Sequence, residues 1–322
     1  MAQAARPKVI ALEEHYWDPE VAASPNFGGA EGRDPKIRAR LDDVGDLRIQ
    51  EMDAAGIDVQ VISHGAPSTQ RLDGESAIRL ARGANDRLHE AVSEHSDRFA
   101  AFAALPTPDP KAAADELERA VNQLGFKGAM VHGLTNGVFF DDKQFWPIFE
   151  RAQALDVPLY IHPAVPHPAV VEAYYKDYVS EFPSFLTAAW GFTMETATHG
   201  IRLVLSGVLE AYPGVKIILG HMGEGLPFLL WRINYTLQRP GNRKIDFREL
   251  FTRNFYITTS GNFSTPALQC AITEMGIDHV LFSVDYPFVE NPPGTTWANA
   301  LQIATEDKEK ILHGNAERVL HL

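Results

Sequence analysis

Short apolar runs, bounded by Gly, Pro or Asp and mostly closed by a polar residue, alternate along the chain with longer stretches in which apolar residues return every three or four positions. Runs of about four to eight apolar, often β-branched residues describe strands buried on both faces. About eight are present: 8–15 (containing VIALEEH), 58–64 (DVQVISH), 99–105 (FAAFAAL), 128–133 (GAMVHG), 158–163 (PLYIHP), 215–221 (VKIILGH), 255–261 (FYITTSG) and 279–287 (HVLFSVDYP). Helical periodicity is predicted over 75–95, 110–124, 143–155 and 193–212. Strand, helix, strand repeated in this way predicts an α/β fold: a (β/α)8 TIM barrel formed by one domain over residues 1–322, with an open doubly wound sheet as the weaker reading.

Polar residues at the ends of these runs favour the barrel. His15, His64, His132, His162, His221, Ser260 and Asp285 all stand there. A barrel gathers such positions at one mouth, whereas an open sheet strings them along an edge. Two connections are too long to be simple, 17–46 and 164–192, and insertions of this kind are expected to wall or lid a pocket.

Strand alternation points Glu13 and His15 of the triplet Glu13-Glu14-His15 to one side and Glu14 to the other. With His162 and Asp285 they make a mixed carboxylate and imidazole set of the kind that binds a catalytic divalent ion while leaving positions open. One such ion is expected, with zinc or manganese fitting the donors best and magnesium admitted. A single strand-end histidine is more often structural than ligating; the joint placement of these four is what carries weight. His64 is read as structural and His132 as a pocket wall. In GHMGEGLPFLLWRINY, Gly220, Gly223 and Gly225 permit a sharp turn, Pro227 opens a helix, and Glu224 flanks His221 as a carboxylate that fixes its tautomer.

Composition narrows the partners. The chain has 29 Lys+Arg against 42 Asp+Glu, a formal charge of -13, which repels nucleic acid and anionic membranes. Cys270 is the only cysteine, so no internal disulfide forms, and its apolar neighbours predict a buried small residue. No signal-like or membrane-spanning run is found, and a soluble, cytoplasmic protein is expected.

ALEEH, QLGFKGAMV, PLYIHP, GHMGEGLPFLLWRINY, TTSGNF, LFSVDYPF and GNAERVL, spread over nearly the full length, resemble the amidohydrolase superfamily and within it the metal-dependent decarboxylase branch, whose members include resorcylate, carboxyvanillate and aminocarboxymuconate semialdehyde decarboxylases. The resemblance implies Glu13, His15, His162 and Asp285 as ligands, His221 and Glu224 as a second catalytic layer, and Arg232 and Arg48 as substrate contacts, in some members across a subunit boundary. It also implies a homodimer or homotetramer. Two points separate this chain from relatives: ALEEH resembles the resorcylate decarboxylases more than relatives with Ala in place of this His, and His132 stands where several hydroxybenzoate decarboxylases carry Asn. GAMVHG also lacks the modified lysine that holds two metals in hydrolase members, which implies one metal.

The expected reaction is non-oxidative decarboxylation of a small aromatic carboxylate, an ortho-hydroxybenzoate of the dihydroxybenzoate class. Asp285 protonates the ring carbon, His221 with Glu224 polarises the phenolic oxygen, and Arg232 binds an anionic group. Tyr16, Trp190 and Phe288 are expected to sandwich the ring, with His132 beside it. The rival reading is hydrolysis of a lactone or ester by metal-activated water. A barrel retained only as a binding module is disfavoured, because no proposed ligand or acid-base residue is missing.

Overall fold

A computed structural model of the chain describes residues 6–25, 27, 29 and 31–322. The apolar runs form β1 (Ile10–Tyr16), β2 (Val59–His64), β3 (Phe99–Ala101), β4 (Ala103–Ala104), β5 (Ala129–His132), β6 (Pro158–His162), β7 (Lys216–Leu219), β8 (Phe255–Thr258) and β9 (Val280–Leu281). All pairings are parallel, in the orders β1-β2-β3 and β4-β5-β6-β7-β8-β9. β3 and β4 are one predicted run interrupted at Phe102. There the Phe102 N–H donates to Ile62 O at 2.9 Å and the Ala103 N–H to Gly128 O at 2.9 Å, which joins the two sheets.

The other join combines a main-chain bond with side chains. The His15 N–H donates to Tyr286 O at 2.7 Å, and the Glu13 N–H to Ser283 Oγ at 2.6 Å. The fully buried Glu14 carboxylate accepts from Ser283 Oγ, the Val284 N–H and the Tyr286 N–H at 3.0, 3.0 and 3.1 Å. With both joins made, the parallel strands close as the expected (β/α)8 barrel.

Helices follow their local signals. Asp73 caps the Gly74–Glu94 helix and Asp109 the Pro110–Leu124 helix, each accepting from a first-turn N–H. Gly125, at φ 72°, ends the second of these in the left-handed conformation that glycine adopts without strain. The periodic segment 193–212 is not one helix: Gly207, at φ 92°, separates Gly191–Ser206 from Val208–Ala211.

Inside the cylinder Ile10, Leu12, Val61, Phe102, Met130 and Tyr160 pack with Ile218, Tyr256 and Leu281, and Ala316, Val319 and Leu320 of the Asn315–Leu320 helix join them. Two residues beyond Val61, Met130, Tyr160, Tyr256 and Leu281, alternation brings Ser63, His132, His162, Thr258 and Ser283 to the same interior. β1 breaks this rule. Its pairing with β2 shifts register between Ala11 and Glu14, a bulge that lets Ile10 and Leu12 face inward and then turns Glu13 and His15 inward as well.

The first long insertion folds as Pro19–Ala22 and Pro35–Leu41, and packs Trp17, Val21, Phe27 and Leu41 against Leu72, Leu80 and Ala84. Cys270 lies on the Thr265–Met275 helix and is half-buried, so the expectation of full burial is corrected. Among the described residues no helix is long and apolar enough to cross a membrane.

Candidate metal centre and active site

Glu13 and His15 from β1, His162 from the end of β6 and Asp285 just past β9 converge, each offering a ligand atom within 4.8 Å of the others. The His162 Nε2 is 3.2 Å from Glu13 Oε1, and the His15 Nε2 is 3.4 Å from Asp285 Oδ1. Glu13 Oε1, His15 Nε2 and Asp285 Oδ1 are buried and lack any hydrogen-bond partner. Three orphaned donor atoms pointing at one spot would be costly in an apolar interior, and a divalent cation satisfies all of them. The donor set therefore fits one ion.

Each donor is held from behind. The inner oxygen of Glu13, Oε2, accepts from Tyr160 Oη and, at 3.3 Å, from Thr258 Oγ1. Thr258 Oγ1 is in turn 2.9 Å from Tyr160 Oη and from Ser260 Oγ. Gly220 makes this approach sterically feasible, since a Cβ there would lie 2.7 Å from Glu13 Oε2 and 3.0 Å from Ser260 Oγ. Ser63 Oγ lies 3.3 Å from His15 Nδ1. Asp285 adopts φ 78°, uncommon for a non-glycine residue, and the Glu14 carboxylate grips the N–H groups on either side of it.

His221, Met222, Gly223, Glu224 and Gly225 all have positive φ. Left-handed backbone costs about 1–2 kcal/mol per non-glycine residue, so this turn is strained, and strain of this kind concentrates at functional sites. The turn brings Glu224 Oε1 to 2.8 Å from His221 Nδ1, and Pro227 then starts the Leu226–Leu237 helix as expected. The His221 Nε2 faces Glu13 Oε1 at 3.5 Å and Asp285 Oδ2 at 3.7 Å.

The electrostatics divide these groups. Burial alone would lower the His221 pKa, but the charges of Glu224 and Glu13, the nearby Asp285 carboxylate and the hydrogen bond to Glu224 push it well above the usual value. Burial alone would raise Glu13, yet His221, His162 and His15 hold it below the carboxylate range. Asp285 is likewise held low, burial being outweighed by the adjacent imidazoles of His15 and His221. Before an ion binds, the surrounding carboxylates thus favour the protonated form of His221.

The site opens into a cavity of about 180 Å³ lined by His162, His221, Asp285 and Phe288. Pro163, Ala188, Phe192 and Val289 give it an apolar surface, while Thr187 and Thr193 offer hydroxyls. Larger surface grooves share none of the four donors. The second insertion supplies Thr187 and Ala188, so it walls the cavity as expected, but no described residue of 17–46 lines it.

Several expected contacts fall elsewhere. The Tyr16 side chain is buried away from the cavity, its hydroxyl 3.3 Å from Ala84 O and its ring against His64. Trp190 is 47% exposed and does not line the cavity. Arg48 is fully buried and donates to His15 O at 2.6 Å, Gln60 Oε1 at 3.2 Å and Asp43 O at 3.1 Å, so it braces the metal strand instead of reaching substrate. Arg232 is exposed on the Leu226–Leu237 helix and is absent from the cavity lining. His132 is buried behind His162 and does not form a pocket wall. Ser260, expected at the barrel mouth, lies there behind Glu13, whereas Tyr160, Thr258 and Ser63 carry no expected role in the sequence, although Tyr160 shares the face of His162 two residues away and follows from the same alternation.

A parallel barrel whose strand ends present two carboxylates and two imidazoles to one point defines a mononuclear, metal-dependent barrel enzyme. The chain belongs to the amidohydrolase family, whose model matches residues 13–322. It is similar to a γ-resorcylate decarboxylase of Polaromonas sp., with 42% identity covering 97% of this chain and 98% of that protein. A solved 2,6-dihydroxybenzoate decarboxylase complexed with 2,6-dihydroxybenzoate is 42% identical, with a TM-score of 0.88 over 98% of this chain and 100% of the other. A dihydroxybenzoic acid decarboxylase from Polaromonas sp., solved with manganese and the inhibitor 2-nitroresorcinol, is also 42% identical, with a TM-score of 0.89 over 98% of each chain.

Proposed function

We propose that this protein catalyses the metal-dependent, non-oxidative decarboxylation of an ortho-hydroxybenzoate of the dihydroxybenzoate class. The observation that carries the reading is the convergence of the four donors beside a cavity small enough to hold one benzene ring. No Lys or Arg stands among the cavity's lining residues, which favours a substrate with one carboxylate over a dicarboxylate. The similarity to dihydroxybenzoate decarboxylases supports the same class.

Glu13, His15, His162 and Asp285 would hold a divalent ion, which supplies a Lewis acid for the substrate carboxylate and the neighbouring phenolate oxygen. Phe288, whose ring lies 5.6 Å from that of His15, packs on the aromatic ring and excludes water. Asp285 Oδ2 faces His221, which the Glu224 carboxylate beside it favours in its protonated form and which would be the proton source. Asp285 takes that proton and passes it to the ring carbon bearing the carboxylate. The carbon–carbon bond then breaks, CO2 leaves, and its bonding pair restores aromaticity. Glu224 stabilises His221 while it is charged and keeps its Nε2 aimed at the site.

Incubation with 2,6- and 2,3-dihydroxybenzoate in the presence of Mn2+ should release CO2, and the Asp285→Asn variant should be nearly inactive. Lactone cleavage without turnover of any hydroxybenzoate would instead establish the hydrolase reading.

The functional unit in this proposal is a homodimer or a tetramer built from dimers. Phe228, Trp231 and Tyr235 are 81%, 63% and 54% exposed on one helix, with the last two rings stacked 5.0 Å apart. An aromatic face of this kind suits an interface with a second copy, and it would carry Arg232 towards the neighbour. Light scattering should give a multiple of 35.7 kDa, and Trp231→Glu should shift the protein towards monomer; a wild-type monomer would end this part of the proposal.

A further inference from the structure

His132 and His162 are register partners on β5 and β6, and their Nδ1 atoms meet at 3.0 Å. The His132 Nε2 lies 2.7 Å from His64 O, and the His162 Nδ1 lies 2.7 Å from Pro163 O. A carbonyl oxygen only accepts, so each of these two nitrogens carries a hydrogen. The His132 Nδ1 facing the His162 N–H must then be bare, because two N–H groups do not point at each other at hydrogen-bond distance.

Two main-chain carbonyls therefore fix the whole arrangement. His132 Nε2–H donates to His64 O, and the His162 Nδ1–H is shared between Pro163 O and His132 Nδ1. The lone pair of His162 is left on Nε2, on the side of Glu13 Oε1. Both rings are buried, so water does not readily replace either partner.

We propose that His132 is a positioning residue for the metal ligand His162. Beside Pro163 O, which sets the tautomer, it is a second outer acceptor that fixes the ligand ring and strengthens Nε2 as a donor, and it does not touch substrate. β5 contributes no ligand of its own, yet through this pair it is tied to the ion. What His162 requires from position 132 is an acceptor at the place of Nδ1. Asn puts its amide oxygen there, Gln carries its amide farther out near the place of Nε2, and Phe keeps the ring while offering neither.

The inference rests on the metal reading of the site and is independent of the decarboxylase reading, so Mn2+ alone is the probe. Chelator-stripped wild type, His132→Phe, His132→Asn and His132→Gln are titrated with Mn2+ by calorimetry, and thermal melting of the metal-free proteins reports folding. Loss of an outer partner costs about 10–100-fold in metal affinity, and that loss is expected in His132→Phe and His132→Gln. His132→Asn should stay within about threefold of wild type, a rescue that a space-filling role does not predict. If His132→Phe does not fold, His132→Gln carries the comparison. Wild-type affinity in the Phe or Gln variant, or an Asn variant as weak as they are, overturns the proposal. A wild-type protein that fails to bind Mn2+ overturns it together with the metal reading, whereas Mn2+ binding without CO2 release overturns only the decarboxylase assignment.

Discussion

Gly220 shows how little space the Glu13 carboxylate has. The Cβ of an alanine there would sit 2.7 Å from Glu13 Oε2 and must displace it. A shift of about 1 Å in a catalytic group can cost about 100-fold in rate. Gly220→Ala should therefore lower turnover by about that factor while leaving the circular dichroism spectrum unchanged, and a variant with wild-type kcat would show that the carboxylate yields without consequence. At this scale the ligands were legible only jointly: one strand-end histidine is usually structural, but two acids and two histidines at the ends of strands that a barrel gathers at one mouth fit a common ion. Arg48 and Tyr16 were not. Tyr16 ends the metal strand and Arg48 lies on the later Asp46–Ala55 helix, and the side to which each long side chain turns is decided by acceptors at His15, Asp43 and Ala84, which the letters do not show.

Elements were legible wherever a local signal announced them. Asp109 with Pro110 opens a helix and Gly125 closes it, and both are visible in the letters. The bulge in β1 was invisible, because VIALEEH reads as unbroken alternation. Alternation correctly put Glu13 and His15 together, yet an unbroken strand would have sent Ile10 and Leu12 to the opposite face from them. In the structure all four face the interior. The bulge reconciles an apolar barrel floor with a polar mouth on a single strand. The left-handed turn at 221–225 was half legible: its glycines announce a sharp bend, whereas positive φ at His221, Met222 and Glu224 is imposed by tertiary contacts.

At the scale of the whole molecule, burial of neutral histidines links stability to pH. Burial lowers His199 to about 3 and His64 to about 4, against 6.5 when exposed. The unfolded chain therefore binds these protons more readily than the native one. Their contribution is complete above pH 6.5 and is lost as the pH falls towards the native values. At about 1.4 kcal/mol per pKa unit, each group is worth roughly a few kcal/mol across that range. The urea midpoint of metal-free protein should fall between pH 6.5 and 4.5, with a shallower fall in His199→Phe; a midpoint flat over that interval would contradict the assignment. The barrel itself was legible from the order of runs and their polar ends, since only a closed cylinder brings strand ends so distant in sequence to one point.

The donors stand at positions 13, 15, 162 and 285, and the clasp from Glu14 grips residues 283–286. During synthesis, then, the first strand waits for almost the entire chain to leave the ribosome before its carboxylates find their partners. A translation product that stops short of residue 285 lacks the fourth donor and much of the rung that shuts the cylinder. Acquisition of the ion thus reports that synthesis has passed Asp285: no shorter product can own a full coordination sphere.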